Sequence, residues 1–345
     1  MTDQTTPEST PIETDVVIVG AGPVGLFAIF ELGMLKIRAH VVDSLEEVGG
    51  QCTALYPEKP IFDIPAHPRI EGAALIEKLE AQAAPFKPTY HLNQQVTGLV
   101  VRPDGGFDLT TSKGTQFRSK AVIIAAGGGA FGPNRPPLDH LAEYEGKSVF
   151  YMVKRREDFR DKRIVIAGGG DSAVDWAVSL PEVAEKVYVV HRRDKFRAAP
   201  DMVDRMQAWV DQGKLELVTP YQLSGLVGEN GILSGVTVKD FDGGERTLEA
   251  DVLLPFFGLA AKLGPIADWG FAVEKNTIVV DRTNCETAIP GLFAIGDVAL
   301  YPGKLKLILQ GFADAAAAAH KIHGIVYPDE PLHFEYSTTQ GVPGN

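Results

Sequence analysis

Short apolar runs alternate with helical patterns along most of the chain, which predicts strands and helices that follow one another. In the predicted strands 15–20 and 163–167, residues 16–19 and 164–167 are continuously apolar, as in strands buried on both faces of a parallel sheet. Each is followed by a helical pattern, at 23–34 and at 171–180 respectively, and then by another apolar run. The sequence therefore predicts an α/β protein with two Rossmann-like, three-layer units.

The order of these elements predicts that one domain is inserted in the other. We expect a discontinuous first domain of residues 15–130 and 254–345, and a second domain of residues 131–253. Residues 1–14 are polar and contain two prolines. They lack the basic start and apolar run of a signal peptide, so we expect a disordered tail and a cytoplasmic protein.

Both apolar runs lead directly into a glycine fingerprint, GAGPVG at 20–25 and GGGDSA at 168–173. In such a turn the first glycine permits the reversal, the second leaves room for a pyrophosphate, and the third small residue lets the helix pack on the strand. The free N–H groups and the helix dipole attract phosphates. The sequence therefore predicts two dinucleotide sites, the first at Gly20, Gly22, Pro23 and Gly25, and the second at Gly168, Gly170, Asp171 and Ser172, with Ala173 as the small residue.

The ends of the following strands distinguish the two sites. Asp43 ends the first, where a carboxylate accepts hydrogen bonds from a free ribose. His191, Arg192 and Arg193 end the second, and guanidinium groups there bind a 2′-phosphate that a carboxylate would repel. We expect an adenosine with a free ribose in the first site and NADP in the second. The alternative is that both arginines are ordinary surface charges.

Charge and composition exclude several classes of function. The net charge of −12 argues against a nucleic-acid partner. No apolar stretch is long enough to cross a membrane. The two cysteines form no C-x-x-C motif, and the eight histidines show no metal-ligand spacing, so we expect neither a local redox dithiol nor a metal.

A locally basic segment departs from the acidic total. It contains Lys154, Arg155 and Arg156 within the range 147–163. These residues belong either to a solvated face or to a docking patch for an acidic protein. Two interpretations are also open for Lys304 and Lys306. Each is either a surface charge or a charge near the cofactor, close to the start of the helix expected from Gly311.

Several motifs together resemble the two-dinucleotide-binding flavoproteins, namely GAGPVG, GGQ at 49–51, AAG at 125–127, GGGDSA, HRR at 191–193 and AIGD at 294–297. The chain is most similar to the thioredoxin-reductase-like ferredoxin–NADP reductases of bacteria. LYPEKPIFDIP at 55–65, IAGGGDSAVDWA at 166–177 and EYSTTQ at 335–340 carry this likeness. Thioredoxin reductases have a C-x-x-C where this chain has GGGDSAVDW, so reduction of thioredoxin is not expected.

The resemblance implies FAD in the first domain and NADP(H) in the second. Gln51 is then expected to hydrogen-bond FAD and Asp297 to hold its ribityl chain. Tyr56 matches the position that stacks on one face of the flavin ring. Tyr336 matches the position that covers the other face from the second subunit of a homodimer, although either tyrosine could be a core or interface aromatic residue. Ser337 and Thr338 follow as possible neighbours of flavin N5, and Thr338 as an FAD contact.

The implied activity is hydride transfer between NADPH and N5 of FAD, followed by one-electron transfer with ferredoxin or flavodoxin. The sequence requires no acid–base residue for this chemistry. Two alternatives stay open. One is an NADPH-dependent flavin disulfide reductase or oxidase, for which Cys52 is the only plausible thiol, and the other is an FAD-containing redox sensor without turnover.

Overall fold

The chain forms two compact units in a computed structural model, which describes residues 10–332 and 341–342. An outer unit combines Met1–Phe131 with Ala261–Asn345, and an inserted unit consists of Gly132–Ala260.

The chain passes between the units in the strands Ala130–Pro133 and Leu259–Lys262. The return therefore lies after residue 260, later than the expected residue 254. The physical reason is that the strand Val252–Pro255 still pairs with Arg163–Ala167 and completes the sheet of the inserted unit.

The outer unit is built on a five-stranded parallel sheet. Its central strands are apolar and fully buried, as expected for a sheet covered on both faces. In spatial order the strands are Leu292–Ala294, Ala121–Ile124, Val16–Val19, Ala39–Val42 and Thr89–His91.

Helices cover this sheet, and the fingerprint helix Pro23–Met34 packs against two of them, Gly72–Ala83 and Ile308–Val326. The last helix begins at Ile308, earlier than the expected Gly311, after the extended residue Leu307. Ala315, Ala318 and Ala319 of its alanine run lie in the core, where small side chains permit close packing. A short helix, Gln51–Ala54, and the 3-10 segments Ala84–Phe86, Gly264–Asp268 and Gly296–Val298 complete the set.

Smaller sheets flank the central one. A four-stranded sheet has the order Ile12–Glu13, Gln116–Ser119, Phe107–Thr111 and Val96–Val101. The remaining strands are Pro60–Ile61, Ile70–Glu71, Val273–Glu274, Thr277–Val279 and Ala299–Leu300.

Residues 1–9 of the expected tail lie outside the described residues, and the expectation is wrong for the end of the segment. Ile12 pairs with Phe117 in a parallel bridge. The Thr14 N–H donates to the Arg118 carbonyl at 3.0 Å, and Thr14 is buried. These backbone bonds and the buried side chain place Ile12–Thr14 in the fold, although their composition continues that of the polar segment before them.

The inserted unit has three layers. Its parallel sheet has the order Leu215–Val218, Lys186–Val190, Arg163–Ala167 and Val252–Pro255. The helices Asp171–Ser179 and Pro200–Asp211 cover one face. An antiparallel sheet covers the other, with strands Gln222–Glu229, Ile232–Lys239 and Glu245–Glu249. Shorter elements are Leu141–Tyr144, Arg156–Phe159 and Leu180–Glu182.

Alternation along the inserted strand Arg163–Ala167 explains these layers. Ile164 and Ile166 lie in the core shared with the helices, and Val165 and Ala167 in the core shared with the antiparallel sheet. This arrangement confirms the α/β fold class expected from the sequence.

No helix within residues 10–332 is long and apolar enough to span a membrane.

Candidate dinucleotide sites

The first fingerprint forms the sharp turn that its glycines predict. Gly20 has a φ of +116°, and a Cβ there would lie 2.3 Å from the Ala125 carbonyl oxygen. A Cβ at Gly25 would lie 2.0 Å from the Gly20 carbonyl oxygen. A Cβ at Gly22, in contrast, would meet no atom of the described chain within 4 Å. Two of the glycines therefore close the turn, and the third keeps space for a ligand beside it.

The fingerprint helix leaves its N-terminus free for an anion. Gly22 is the N-cap and forms no side-chain capping bond, and Pro23 occupies the first turn, which contains no acidic residue. The helix dipole and the uncapped N–H groups favour phosphate oxygens. The residues present fit a pyrophosphate at Gly22 and Pro23.

Asp43 is fixed next to this turn. Its carboxylate accepts hydrogen bonds from the N–H groups of Ala21 at 2.6 Å and Leu45 at 2.8 Å. Burial raises the pKa of Asp43, and these backbone bonds oppose that rise. The backbone thus orients a largely buried carboxylate into the same cleft as Gly22, where it can accept a ribose hydroxyl.

The outer unit contains one continuous cleft that joins most of the residues expected to bind FAD. These residues are far apart in the sequence, and the parallel sheet brings them together. Members of its lining are Gly22, Asp43, Gln51, Tyr56, Gly127 and Asp297.

Cys52 and Tyr56 lie together on one side of the cleft. The Cys52 sulfur is 4.0 Å from the Tyr56 hydroxyl oxygen. Burial raises the pKa of the Cys52 thiol to about 11, and burial also raises the pKa of Tyr56. Both groups are therefore neutral near pH 7. The Tyr56 ring is positioned as a wall of the cleft, and Cys52 is a neutral, buried thiol rather than a thiolate nucleophile.

Asp297 follows a tight turn at Gly296, which has a φ of +74°. Burial raises the pKa of Asp297, while Lys306 and Lys304 oppose that rise. A Cβ at Gly311 would lie 2.3 Å from Val24 Cγ2. Gly311 therefore allows the last helix to approach the fingerprint helix closely beside this turn.

Lys304 and Lys306 take different positions. The Lys304 side chain is 4% exposed and paired with Asp314, so the interpretation of Lys304 as a surface charge was wrong. Lys306 is exposed. Tyr336, Ser337 and Thr338 lie outside the described residues.

The second fingerprint repeats the turn in the inserted unit. Gly168 has a φ of +155°, and a Cβ there would lie 2.6 Å from the Phe256 carbonyl oxygen. A Cβ at Gly170 would meet no atom of residues 10–332 within 4 Å. Asp171 and Ser172 are exposed at the first two positions of the helix. Since a carboxylate repels a phosphate, the backbone N–H of Asp171 is the part suited to binding one.

Gly169 has a role that sequence reasoning missed. A Cβ there would lie 2.3 Å from the imidazole of His191, so the ring of His191 packs directly on the glycine loop. The same ring lies 5.2 Å from that of Phe196. Burial and the nearby arginines lower the pKa of His191 although the Lys195 backbone opposes them, which keeps the imidazole neutral near pH 7. His191 is therefore a packed support of the loop.

Arg197 is a second residue that the sequence analysis did not assign to the site. Its N–H donates to the Gly169 carbonyl at 2.7 Å, and it forms a parallel bridge with Gly170. The segment after HRR thus returns to the glycine loop. The spacing within HRRDKFR could have indicated this, because a return of the chain needs only a few residues.

Arg192 and Arg193 are exposed beside this loop. Within the described chain no ion pair or hydrogen bond engages either guanidinium group. Their charges are therefore available to a ligand.

The expected docking residues are less available. Arg156 pairs with Glu182 at 2.8 Å, and Arg155 lies 3.6 Å from Asp158. Lys154 is exposed. These pairs partly neutralise the basic segment on its own unit.

Residues 10–332 and 341–342 contain no group of three or more residues that could hold a metal ion. Cys52 and Cys285 are both buried and unpaired as disulfides.

Comparison with known proteins agrees with this geometry. The family model of pyridine nucleotide-disulphide oxidoreductases matches residues 14–321. The ferredoxin–NADP reductase of Rhodospirillum rubrum is 61% identical over 98% of this chain and 99% of its own length. That of Paramagnetospirillum magneticum is 61% identical over 96% of this chain and 98% of its own.

Solved structures show the same fold. The thioredoxin reductase of Lactococcus lactis superposes with a TM-score of 0.78 and 26% identity, over 91% of this chain and 99% of its own. That of T. acidophilum gives a TM-score of 0.77 with 26% identity, over 90% and 98% of the two chains. This chain therefore belongs to the pyridine nucleotide-disulphide oxidoreductase family, where it groups with the ferredoxin–NADP reductases.

Proposed function

We propose that this protein is an FAD-dependent ferredoxin–NADP reductase. The observation that carries this proposal is a pair of dinucleotide turns whose following strands end in residues of opposite charge. Asp43 ends the strand after the first turn, and Arg192 and Arg193 follow the strand after the second. The chain has no C-x-x-C dithiol. The ferredoxin–NADP reductases of Rhodospirillum rubrum and Paramagnetospirillum magneticum are 61% identical to it over nearly their whole length.

FAD is assigned to the cleft of the outer unit. Gly20, Gly22, Pro23 and Gly25 form the pyrophosphate turn, and Asp43 accepts the adenosine ribose. Gln51 donates to the cofactor and Asp297 holds its ribityl chain. The open space beside Gly22 and the uncapped helix N-terminus support this assignment.

NADP(H) is assigned to the inserted unit. Gly168, Gly170 and the N–H groups of Asp171 and Ser172 contact the pyrophosphate. Arg192 and Arg193 bind the 2′-phosphate, and the segment returning through Arg197 adds a third guanidinium near the loop. His191 supports the glycine loop through its packing on Gly169.

When bound, FAD supplies the conversion between a hydride donor and a one-electron acceptor. The chain positions and shields it. Tyr56 forms one wall of the flavin site and excludes water from it. Tyr336, with Ser337 and Thr338 beside it, is proposed to cover the opposite face from the partner subunit of a homodimer. No side chain of the cleft is required as an acid or base.

A disulfide reductase that uses Cys52 is disfavoured by the chemistry of that thiol. A pKa of about 11 leaves very little thiolate at neutral pH. Cys285, the other cysteine, is also buried, and burial raises its pKa to about 12. We expect Cys52→Ser to keep ferredoxin reduction, whereas loss of turnover with retained FAD would favour the alternative.

Ferredoxin or flavodoxin is proposed to dock at Lys154, Arg155 and Arg156. The partners would be acidic, and a patch of this kind would offset the net charge of −12. Because Arg155 and Arg156 already have acidic neighbours, Lys154 should contribute most. Lys154→Glu should raise the KM for ferredoxin and weaken its salt dependence, while Lys239→Glu on the antiparallel sheet serves as the matched control.

A comparison of acceptors tests the whole proposal. Purified protein with FAD is mixed with NADPH or NADH, and then with ferredoxin, flavodoxin or thioredoxin, in stopped-flow absorbance. We expect rapid reduction by NADPH and rapid reoxidation by ferredoxin or flavodoxin. Fast reoxidation by thioredoxin alone would contradict the proposal, and negligible turnover with every acceptor would favour a redox sensor. A cytoplasmic location is proposed with this function.

A further inference from the structure

A buried ion pair lies directly behind the turn that carries Asp297. The side chains of Lys304 and Asp314 are 4% and 3% exposed, and the ammonium group donates to Asp314 Oδ2. The same carboxylate accepts the Tyr301 hydroxyl at 2.6 Å and the Gly296 N–H at 3.0 Å. One carboxylate thus ties the loop before the last helix to the turn that enters the cleft.

Stability alone is a weak reason for such a pair. A buried ion pair seldom stabilises a fold more than apolar residues of the same volume, whereas removal of one partner leaves a costly unpaired charge. Neutral groups complete the hydrogen bonding around the pair. Gln310 donates to the Tyr301 hydroxyl at 3.0 Å, and Cys285 beside Asp314 is a neutral thiol. The buried pair therefore consists of one positive and one negative charge, and neutral groups hydrogen-bond to its carboxylate.

Geometry connects this pair to the cleft through a single residue. The Gly296 N–H is held by Asp314, and the next residue, Asp297, lines the cleft. Gly311 lies on the same helix as Asp314 and contacts Gly296, since a Cβ there would be 3.3 Å from Gly296 Cα. Loss of one charge of the pair therefore changes the electrostatic potential at that end of the cleft.

The two charges act on the cleft with opposite signs. Asp297 has a pKa raised mainly by burial; Lys306 and Lys304 lower it, and Asp314 raises it further. While the pair is intact, the fields of its two charges oppose each other at Asp297. Without one member, the other acts from a site that water screens poorly.

We propose that Lys304 and Asp314 are positioning residues for the flavin. The pair holds the Gly296–Asp297 turn, and its two opposite charges offset each other's effect on the flavin reduction potential. This inference rests on the proposed function, since it places FAD in this cleft. Reduction adds negative charge to the flavin. A lone Lys304 should therefore favour the reduced form, and a lone Asp314 the oxidised form.

The test measures the midpoint potential of the bound flavin by equilibration with a redox dye, together with the FAD dissociation constant. Asp314→Asn should strengthen the binding of reduced FAD relative to oxidised FAD by about tenfold, and Lys304→Met should weaken it by the same factor. Tenfold corresponds to about 30 mV in each direction for a two-electron couple. The double variant, which has no charge here, should return to within about twofold of the wild-type ratio.

Lys306→Met is the comparison variant, because it removes an exposed cation from the same loop that also lowers the pKa of Asp297. Its effect on the potential should fall with added salt, unlike that of Lys304→Met. Circular dichroism monitors the fold of each variant.

Opposite shifts that cancel support the inference, and shifts of the same sign, or none, overturn it. If one single variant does not fold, the other decides: its expected shift, absent from the double variant, supports the inference, and an unchanged ratio in that single variant overturns it. Wild-type protein that binds no FAD would instead refute the proposed function.

Discussion

The preference for NADPH over NADH should depend on Arg192 and Arg193. Both side chains are exposed at the end of the strand Lys186–Val190, and no group of the described chain engages them. Alanine at both positions removes two guanidinium groups from the expected 2′-phosphate site and leaves the glycine loop intact. NADH has no 2′-phosphate, so its binding should change little.

The size of the effect follows from the exposure of these residues. A hydrogen bond to a charged group contributes about 1.5–3 kcal/mol, and the lower value suits a solvent-exposed site. Each arginine should then contribute about tenfold to kcat/KM. Neighbouring charges are not strictly additive, so we expect a loss of about 30- to 100-fold for NADPH in the double variant.

The assay is steady-state oxidation of each coenzyme with ferricyanide as acceptor. Lys239→Ala provides the control, because it removes an exposed cation elsewhere on the inserted unit. We expect kcat/KM for NADH to stay within about threefold of wild type in every variant. An equal loss for NADPH and NADH, or no loss for either, would refute the assignment of the 2′-phosphate to these arginines.

Three further predictions concern the loop, the fold and the covering tyrosine. Gly169→Ala should displace the His191 ring, raise the KM for NADPH and lower the free energy of unfolding in urea by about 1–3 kcal/mol. An unchanged KM would show that the packing of His191 on the loop does not support NADPH binding. Arg163 lowers the pKa of Asp251 through hydrogen bonds, so the stability that this pair adds is present above the unfolded pKa of about 3.9 and is lost as pH falls through the lower folded value. Asp251→Asn should thus destabilise by about 1–2 kcal/mol at pH 7 and by less near pH 3, as urea unfolding at the two pH values measures, and an equal loss at both would contradict the linkage. Tyr336→Ala should alter stopped-flow flavin reduction or reoxidation with little loss of FAD, and unchanged rates would count against a stacking role.

Local sequence patterns were sufficient for the fold class and for the two turns. A buried parallel strand is continuously apolar, and a turn that lets a phosphate approach contains glycines. Both features therefore depend on consecutive residues and can be predicted from a short stretch of sequence. The residues at the ends of the two following strands could also be located from the sequence, since their positions are fixed by the length of one strand–helix–strand unit. The assignments of Tyr56, Gln51 and Asp297 came from resemblance, and their roles stay predictions.

Tertiary structure alone decided which distant groups meet. The spacing of Lys304, Asp314 and Tyr301 along the chain does not reveal a buried ion pair behind Asp297, because the last helix must first dock against the fingerprint helix at Gly311. The packing of His191 on Gly169 likewise needs the parallel pairing of two strands. The sequence by itself determined the backbone conformation of the two glycine turns, where we propose that phosphates bind. Burial and long-range contact, which depend on the whole fold, decided which charges are free to meet a ligand and which are compensated within the protein.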